Sequence, residues 1–229
     1  MATFRYSASI LAATVVAPEH VVGERDGAFV LEGMTMSELG KSVTEAMAFL
    51  RGFYADVSKL VTVVDTAMTS DEARLASPWG AGSMWRSSAS FTYSSRWIPS
   101  YVGRQWVEAA TEGVQLKKDA GWYAFFVVHF TPQTVHEPAA IWGAAMLNAV
   151  EYVWTSWGNL LLTDRGPKFL TQLPVEEWAT LPEPGYNVRQ LRFRTRAVVD
   201  LVDETTVQQV VVQPLLELVE QVRGDSQAG

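Results

Sequence analysis

The longest pattern in the chain is an apolar seam that runs from residue 36 to residue 68. Thr35 and Glu38 form a capping-box pair at its start. The pattern predicts one helix over 36–68, roughly 50 Å long at 1.5 Å per residue. The seam residues alternate in steps of three and four, as in an a/d heptad repeat, and are Met36, Leu39, Val43, Ala46, Leu50, Phe53, Val57, Leu60, Val64 and Ala67.

A second period, in which every other residue faces the same side, predicts strands. Two of them, Phe4–Val16 and Ala28–Leu31, precede the helix. Trp85–Trp97 alternates between aromatic and Ser/Arg positions, and Arg189–Val202 alternates between apolar and arginine positions. Trp122–Phe130 is instead apolar on both faces, which is typical of a central strand covered on both sides.

The remaining segments have weaker patterns. Residues 138–157 are Ala-rich and begin with Pro138, and we expect a buried helix there. Residues 160–170 are typical of a hairpin, and Leu173–Tyr186, with its three prolines, of a surface connection. Thr205–Arg223 has near-helical apolar spacing interrupted by a proline, which leaves open a short strand followed by a shorter helix.

Together these elements predict an α+β fold: a mainly antiparallel sheet of five to seven strands, the long helix over 36–68, and one or two further helices. The proline-rich connection is the sole candidate boundary, and the segment after it is too short for a domain. We therefore expect a single domain over 1–229, with the long helix packed on the sheet or projecting from it. Residues 224–229 are expected to fray.

Composition narrows the class of protein. Of the 229 residues, 48% are hydrophobic and 19% charged, which excludes a disordered chain. The net charge of −7 argues against a nucleic-acid partner. With no cysteine, disulfides, zinc–thiolate sites and cysteine nucleophiles are excluded. No apolar run reaches the ~18 residues that span a bilayer, so we expect a soluble, cytoplasmic protein without a membrane partner.

Catalytic motifs are missing from the sequence. No Gly-x-Ser-x-Gly occurs, and Gly80–Ser83 lacks the lysine of a phosphate-binding loop. The three histidines, His20, His129 and His136, match no compact metal-ligand spacing. We therefore expect no cofactor and no metal site, and the sequence favours a non-enzymatic protein.

One constellation points to a ligand. Arg192, Arg194 and Arg196 alternate on one face of a predicted strand, about 7 Å apart at twice the rise per residue. Guanidinium groups bind phosphates and carboxylates in a fork geometry, so this face is a candidate site for an anionic small molecule or nucleotide, in a binding domain or an enzyme. The alternative is pairing with acidic residues, or solvation, on an exposed sheet face.

The seam gives the first function hypothesis: an interaction subunit that self-associates or docks a protein partner through its long helix. The alternative is that the helix buries its apolar stripe against its own sheet. Trp79 and Trp178, in predicted loops, are further candidates for partner contacts. The full set of predicted interface residues is Leu39, Val43, Leu50, Phe53, Val57, Leu60, Trp79 and Trp178.

Overall fold

Seven strands form one antiparallel sheet in the computed structural model, which describes residues 36–77, 85–86, 101–109, 121–130, 138–147, 175–185, 188–201 and 203–227. The strands are β1 (Leu75–Ala76), β2 (Trp85–Arg86), β3 (Tyr101–Glu108), β4 (Trp122–His129), β5 (Ala139–Leu147), β6 (Val175–Gly185) and β7 (Val188–Ala197). Their order in the sheet is β1-β3-β4-β5-β7-β6, and β2 pairs with β3 beside β1. The predicted α+β class is confirmed.

Helix α1 spans Met36–Met68 without a break, as predicted. Its C-terminal half packs on one sheet face together with the C-terminal helix, and the shared core includes Trp106, Trp122, Phe126 and Trp142. The opposite face carries a second buried cluster around Phe125, Ile141 and Phe193. Every residue of β4 is buried, which confirms the expectation of a central strand covered on both sides.

The prediction of a helix over 138–157 is wrong for its described part, because residues 139–147 form strand β5. A continuous apolar run does not distinguish a buried strand from a buried helix. Gly143 shows what selects the strand: a Cβ there would clash with the backbone carbonyl oxygen of Arg192 on β7. The backbones of β5 and β7 approach too closely for any side chain at this position. The rest of the predicted helix, from residue 148, lies outside the described residues.

The expected surface connection over Leu173–Tyr186 is also wrong in large part, since β6 occupies Val175–Gly185. β6 is an edge strand, where prolines are tolerated because one side of the strand needs no ladder partner. The pairing of β6 with β7 is accordingly irregular between Pro182 and Gly185.

The C-terminal segment is helical throughout, so the rival interpretation of a strand before the proline is wrong. It comprises helix α2 (Glu204–Val207), a π-helical turn (Gln208–Val212) and helix α3 (Gln213–Gln227). Asp203 caps α2 by accepting a hydrogen bond from the Thr206 backbone N–H. Pro214 has no backbone N–H and therefore cannot make the usual helical hydrogen bond. The π turn directly before it accommodates the missing hydrogen bond within the helix. Helix α3 continues past Gly224, where the tail was expected to fray.

The predicted strand Arg189–Val202 is confirmed up to Ala197, since β7 spans Val188–Ala197. Its predicted end is wrong, because a 3₁₀ turn, Val198–Asp200, follows β7. Of the predicted Trp85–Trp97 strand, the structure describes only β2. The predicted strands Phe4–Val16 and Ala28–Leu31 and the hairpin at 160–170 lie outside the described residues.

Candidate functional site

Helix α1 carries one apolar line that is buried at one end and exposed at the other. Val43, Leu50, Val57 and Val64 follow one another at intervals of one heptad, so they lie almost on one line along the helix. Val64 is 0% exposed and Val57 1%, whereas Leu50 is half-buried and Val43 is 53% exposed. The stripe that holds α1 on the sheet therefore continues beyond the sheet.

Two sets of contacts fix the buried half of α1. The Asp65 carboxylate accepts a hydrogen bond from Arg104 Nη2 at 2.5 Å and another from Trp106 Nε1 at 2.9 Å, both on β3. Nearer the middle of the helix, the rings of Phe53 and Tyr54 pack edge-on against Phe130, with centroids 5.7 and 5.0 Å away. Burial beside this contact raises the pKa of Tyr54. Phe130 directly follows β4, so the helix leaves the sheet at this point.

Beyond the Phe130 contact, α1 presents what we call the projecting stripe: Leu39, Val43, Ala46, Met47 and Leu50. All residues from 37 to 49 are exposed except Leu39, which is half-buried. Val43 and Met47 are among the most exposed large apolar side chains of the described chain. The helix segment 36–52 carries two acidic and two basic residues, so it has no net charge to repel a second copy of itself.

The structure divides the predicted interface residues into three groups. Leu39, Val43 and Leu50 belong to the projecting stripe, and Phe53 lies at the C-terminal end of the stripe against Phe130. Val57 and Leu60 lie in the core of the chain itself and offer no surface to a partner. Trp178 is on the edge strand β6, half-buried, with its ring 4.6 Å from the guanidinium carbon of Arg194. Trp79 lies outside the described residues.

The three arginines of β7 share one face, and that face is the one covered by the helices. Cross-strand register places Arg192 opposite Ala144, Arg194 opposite Trp142 and Arg196 opposite Ala140 on β5. Arg192 Nη1 donates a hydrogen bond of 3.1 Å to Gln221 Oε1 on α3. The guanidinium carbon of Arg194 lies over the Trp178 ring. All three side chains are half-buried beneath the C-terminal helix.

A cleft of about 240 Å³ opens between β7 and the C-terminal helix. We call it the arginine cleft, and its described lining is Trp142, Arg194, Thr195, Arg196, Gln209, Val210 and Pro214. Two of the lining residues also contain a buried donor: Trp142 Nε1 and Arg194 Nε have no hydrogen-bond partner among the described residues. The alternation along β7 predicts the shared face of the arginines, but Trp142 and the cover from Pro214 depend on tertiary packing and were missed.

Other kinds of site find no support in the described part of the chain. The residues described there contain no group of three or more His, Asp or Glu side chains able to hold a metal ion. No helix among them combines the length and the apolar character needed to cross a membrane. Comparison of the chain with protein-family models, with curated proteins and with solved structures finds no match.

Proposed function

We propose that the chain is a non-enzymatic assembly subunit that self-associates through the projecting stripe of α1. The observation that carries the proposal is the change in exposure along one apolar line, from Val64 in the core to Val43 in solvent. An apolar helix face that the described residues leave uncovered is a docking surface for another helix. A second copy of the chain supplies a matching face, and the neutral charge balance of residues 36–52 permits the two to approach.

The geometry of α1 favours an antiparallel pair. The stripe points to the same side of the helix as Val57 and Val64, which pack on the sheet. In a parallel pair, the second α1 would continue along the buried half, where the sheet of the first copy already lies. In an antiparallel pair, it runs past the N-terminal end of the first α1 instead. The expected dimer is therefore two-fold symmetric, with the same residues contributed by both copies.

The size of the stripe predicts a weak dimer. Val43 and Met47 are about half exposed, so burying each of them stabilises the dimer by about 1 kcal/mol. Leu39 and Leu50 are already half-buried and Ala46 is small, so the five side chains from each copy contribute less than about 10 kcal/mol, against an association cost of at least about 4 kcal/mol. The remainder is below about 6 kcal/mol, which corresponds to a dissociation constant of tens of micromolar or weaker. The assembly should form only at high concentration, or when other chain segments add to it.

Light scattering over a range of protein concentrations tests the proposal. The mass should rise from 25.3 kDa towards twice that value as the concentration passes from the low micromolar to the millimolar range. Val43→Asp should keep the protein monomeric, because it places a charge in the centre of the stripe. Ala48→Asp is the matched control: it adds the same charge at an exposed position on the opposite side of α1.

Two outcomes would overturn self-association. One is a monomeric mass at every concentration, and the other is an equal loss of mass in the Val43→Asp and Ala48→Asp variants. Circular dichroism of both variants verifies that α1 and the sheet remain folded. Val57→Asp is unsuitable for this test, because Val57 is in the core and the substitution would unfold the protein.

A further inference from the structure

The arginine cleft contains donors that the described part of the chain does not satisfy. Trp142 is only 2% exposed, yet neither its indole N–H nor the buried Nε–H of Arg194 finds an acceptor among the described residues. A buried N–H without an acceptor destabilises the folded chain, because it has lost its hydrogen bonds to water. The two residues line one cleft, and their unsatisfied groups are both donors, so an acceptor is the group that would complement them.

The guanidinium of Arg194 is held in place for such an acceptor. The central carbon of its guanidinium lies over the Trp178 ring, 4.6 Å from the ring centroid, and Arg194 lies opposite Trp142 in the sheet. A cation over an aromatic face is attracted to the ring electrostatically, which restrains the guanidinium. The helix residues of the described lining, Gln209, Val210 and Pro214, are uncharged.

We propose that the arginine cleft binds a small oxyanion, a carboxylate or phosphate group, between Arg194 and Trp142. The anion accepts hydrogen bonds from the Arg194 edge and from the Trp142 indole N–H. A cleft of about 240 Å³ has the capacity of several water molecules at ~30 Å³ each, which suits one such group and not a whole nucleotide. The proposal is independent of self-association, because the projecting stripe and the cleft share no residue.

Titration with inorganic phosphate and, separately, with acetate tests the site, with binding followed by calorimetry and by the indole N–H signals in a ¹⁵N NMR spectrum. Sodium chloride at physiological concentration is present throughout, so that charges more than about 8 Å away are screened. One indole N–H signal should move downfield on saturation. Trp142→Phe, which keeps an aromatic ring, should remove that signal and weaken binding several-fold. The anion that binds more tightly identifies the class of ligand.

Arg194→Gln should weaken binding at least about tenfold, as expected for the loss of a charge-assisted hydrogen bond. Arg192→Gln is the matched control, because it removes the same charge from the same strand face. Arg192 is already bonded to Gln221 and is not part of the described lining, so its loss should change affinity less than twofold.

Three results would overturn the proposal: neither anion binds, the Trp142 indole signal does not move, or Arg192→Gln weakens binding as much as Arg194→Gln. The last result would mean that the anions respond to the general charge of the face. If Arg194→Gln fails to fold, the Trp142→Phe variant and the indole signal of the unmodified protein still decide the question.

Discussion

The buried ion pair between Asp65 and Arg104 should be the main polar anchor of α1, and Asp65→Ala tests it. Asp65 lies in the packed half of the helix and bonds two β3 side chains, Arg104 and Trp106. The Arg104 side chain is 6% exposed and that of Asp65 21%. The substitution removes one carboxylate partner from a buried guanidinium and the acceptor of the Trp106 indole N–H.

The expected loss in the free energy of unfolding is about 3 kcal/mol. Breaking a buried pair by removing one partner costs about 3–5 kcal/mol, and the partial exposure of Asp65 lets water replace some of the lost contact, which favours the lower end. For a chain of this size, each kcal/mol lowers the melting temperature by roughly 2–4 °C. Asp65→Ala should therefore melt roughly 6–12 °C below the parent protein.

Asp56→Ala is the matched control, since Asp56 forms an ion pair with Lys59 on the same helix at 3.0 Å, where the Lys59 side chain is 56% exposed. Such a surface pair contributes at most about 1 kcal/mol. Urea unfolding of both variants, followed by tryptophan fluorescence at a protein concentration too low for self-association, gives the two values. Equal and small losses for both variants would show that the pair does not anchor α1 and that apolar packing alone holds the helix.

The remaining predictions concern the pair geometry, two glycines and one tyrosine. In an antiparallel dimer, Leu39→Cys and Leu50→Cys proteins should form a disulfide-linked dimer when oxidised together but little dimer when either is oxidised alone, as non-reducing gel electrophoresis would show; strong dimer formation by each variant alone would indicate a parallel pair. Gly143→Ala should lower the free energy of unfolding by about 3 kcal/mol or prevent folding, because the added Cβ would clash with the β7 backbone. Gly52→Ala should raise the free energy of unfolding by about 1 kcal/mol, because its Cβ would meet nothing within 4 Å and alanine is the better helix former. Burial raises the pKa of Tyr54 above 10.0, so its contribution to the free energy of unfolding should be constant below pH 10.0 and be lost as the pH rises through the raised pKa. Tyr54→Phe should make this loss of stability with pH smaller in urea titrations. An unchanged loss would refute the role of Tyr54.

The elements that could be predicted from sequence are those in which local pattern and tertiary environment agree. Helix α1 has a capping box and a regular seam, and β4 is an uninterrupted apolar run in a covered strand. Strand β5 could not be predicted, because its alanines favour a helix and the backbone contact at Gly143 that selects the strand comes from a residue far along the chain. Strand β3 has a mixed pattern, since Arg104 and Gln105 are buried in it, and its alternation was too weak to predict a strand.

The candidate sites show the same division. Alternation along β7 places the three arginines on one face, but it does not show that α3 covers that face or that Trp142 joins it. Along α1, the seam is apolar throughout in both halves, so the sequence does not show which half the sheet covers. That information depends on where β4 ends, at the contact between Phe130 and the middle of the helix.

The apolar character of the projecting stripe is not explained by the packing of the described residues of a single copy. Val43 and Met47 remain about half exposed, so they contribute little of the burial energy that stabilises a core. Val is also a poorer helix former than the Lys or Glu that would suit an exposed position. In a monomer, the apolar residues of this segment therefore make the helix less stable and the protein less soluble than polar residues would. A partner that covered the stripe would account for both losses, and the proposed antiparallel second copy would cover it without entering the space that the first sheet occupies.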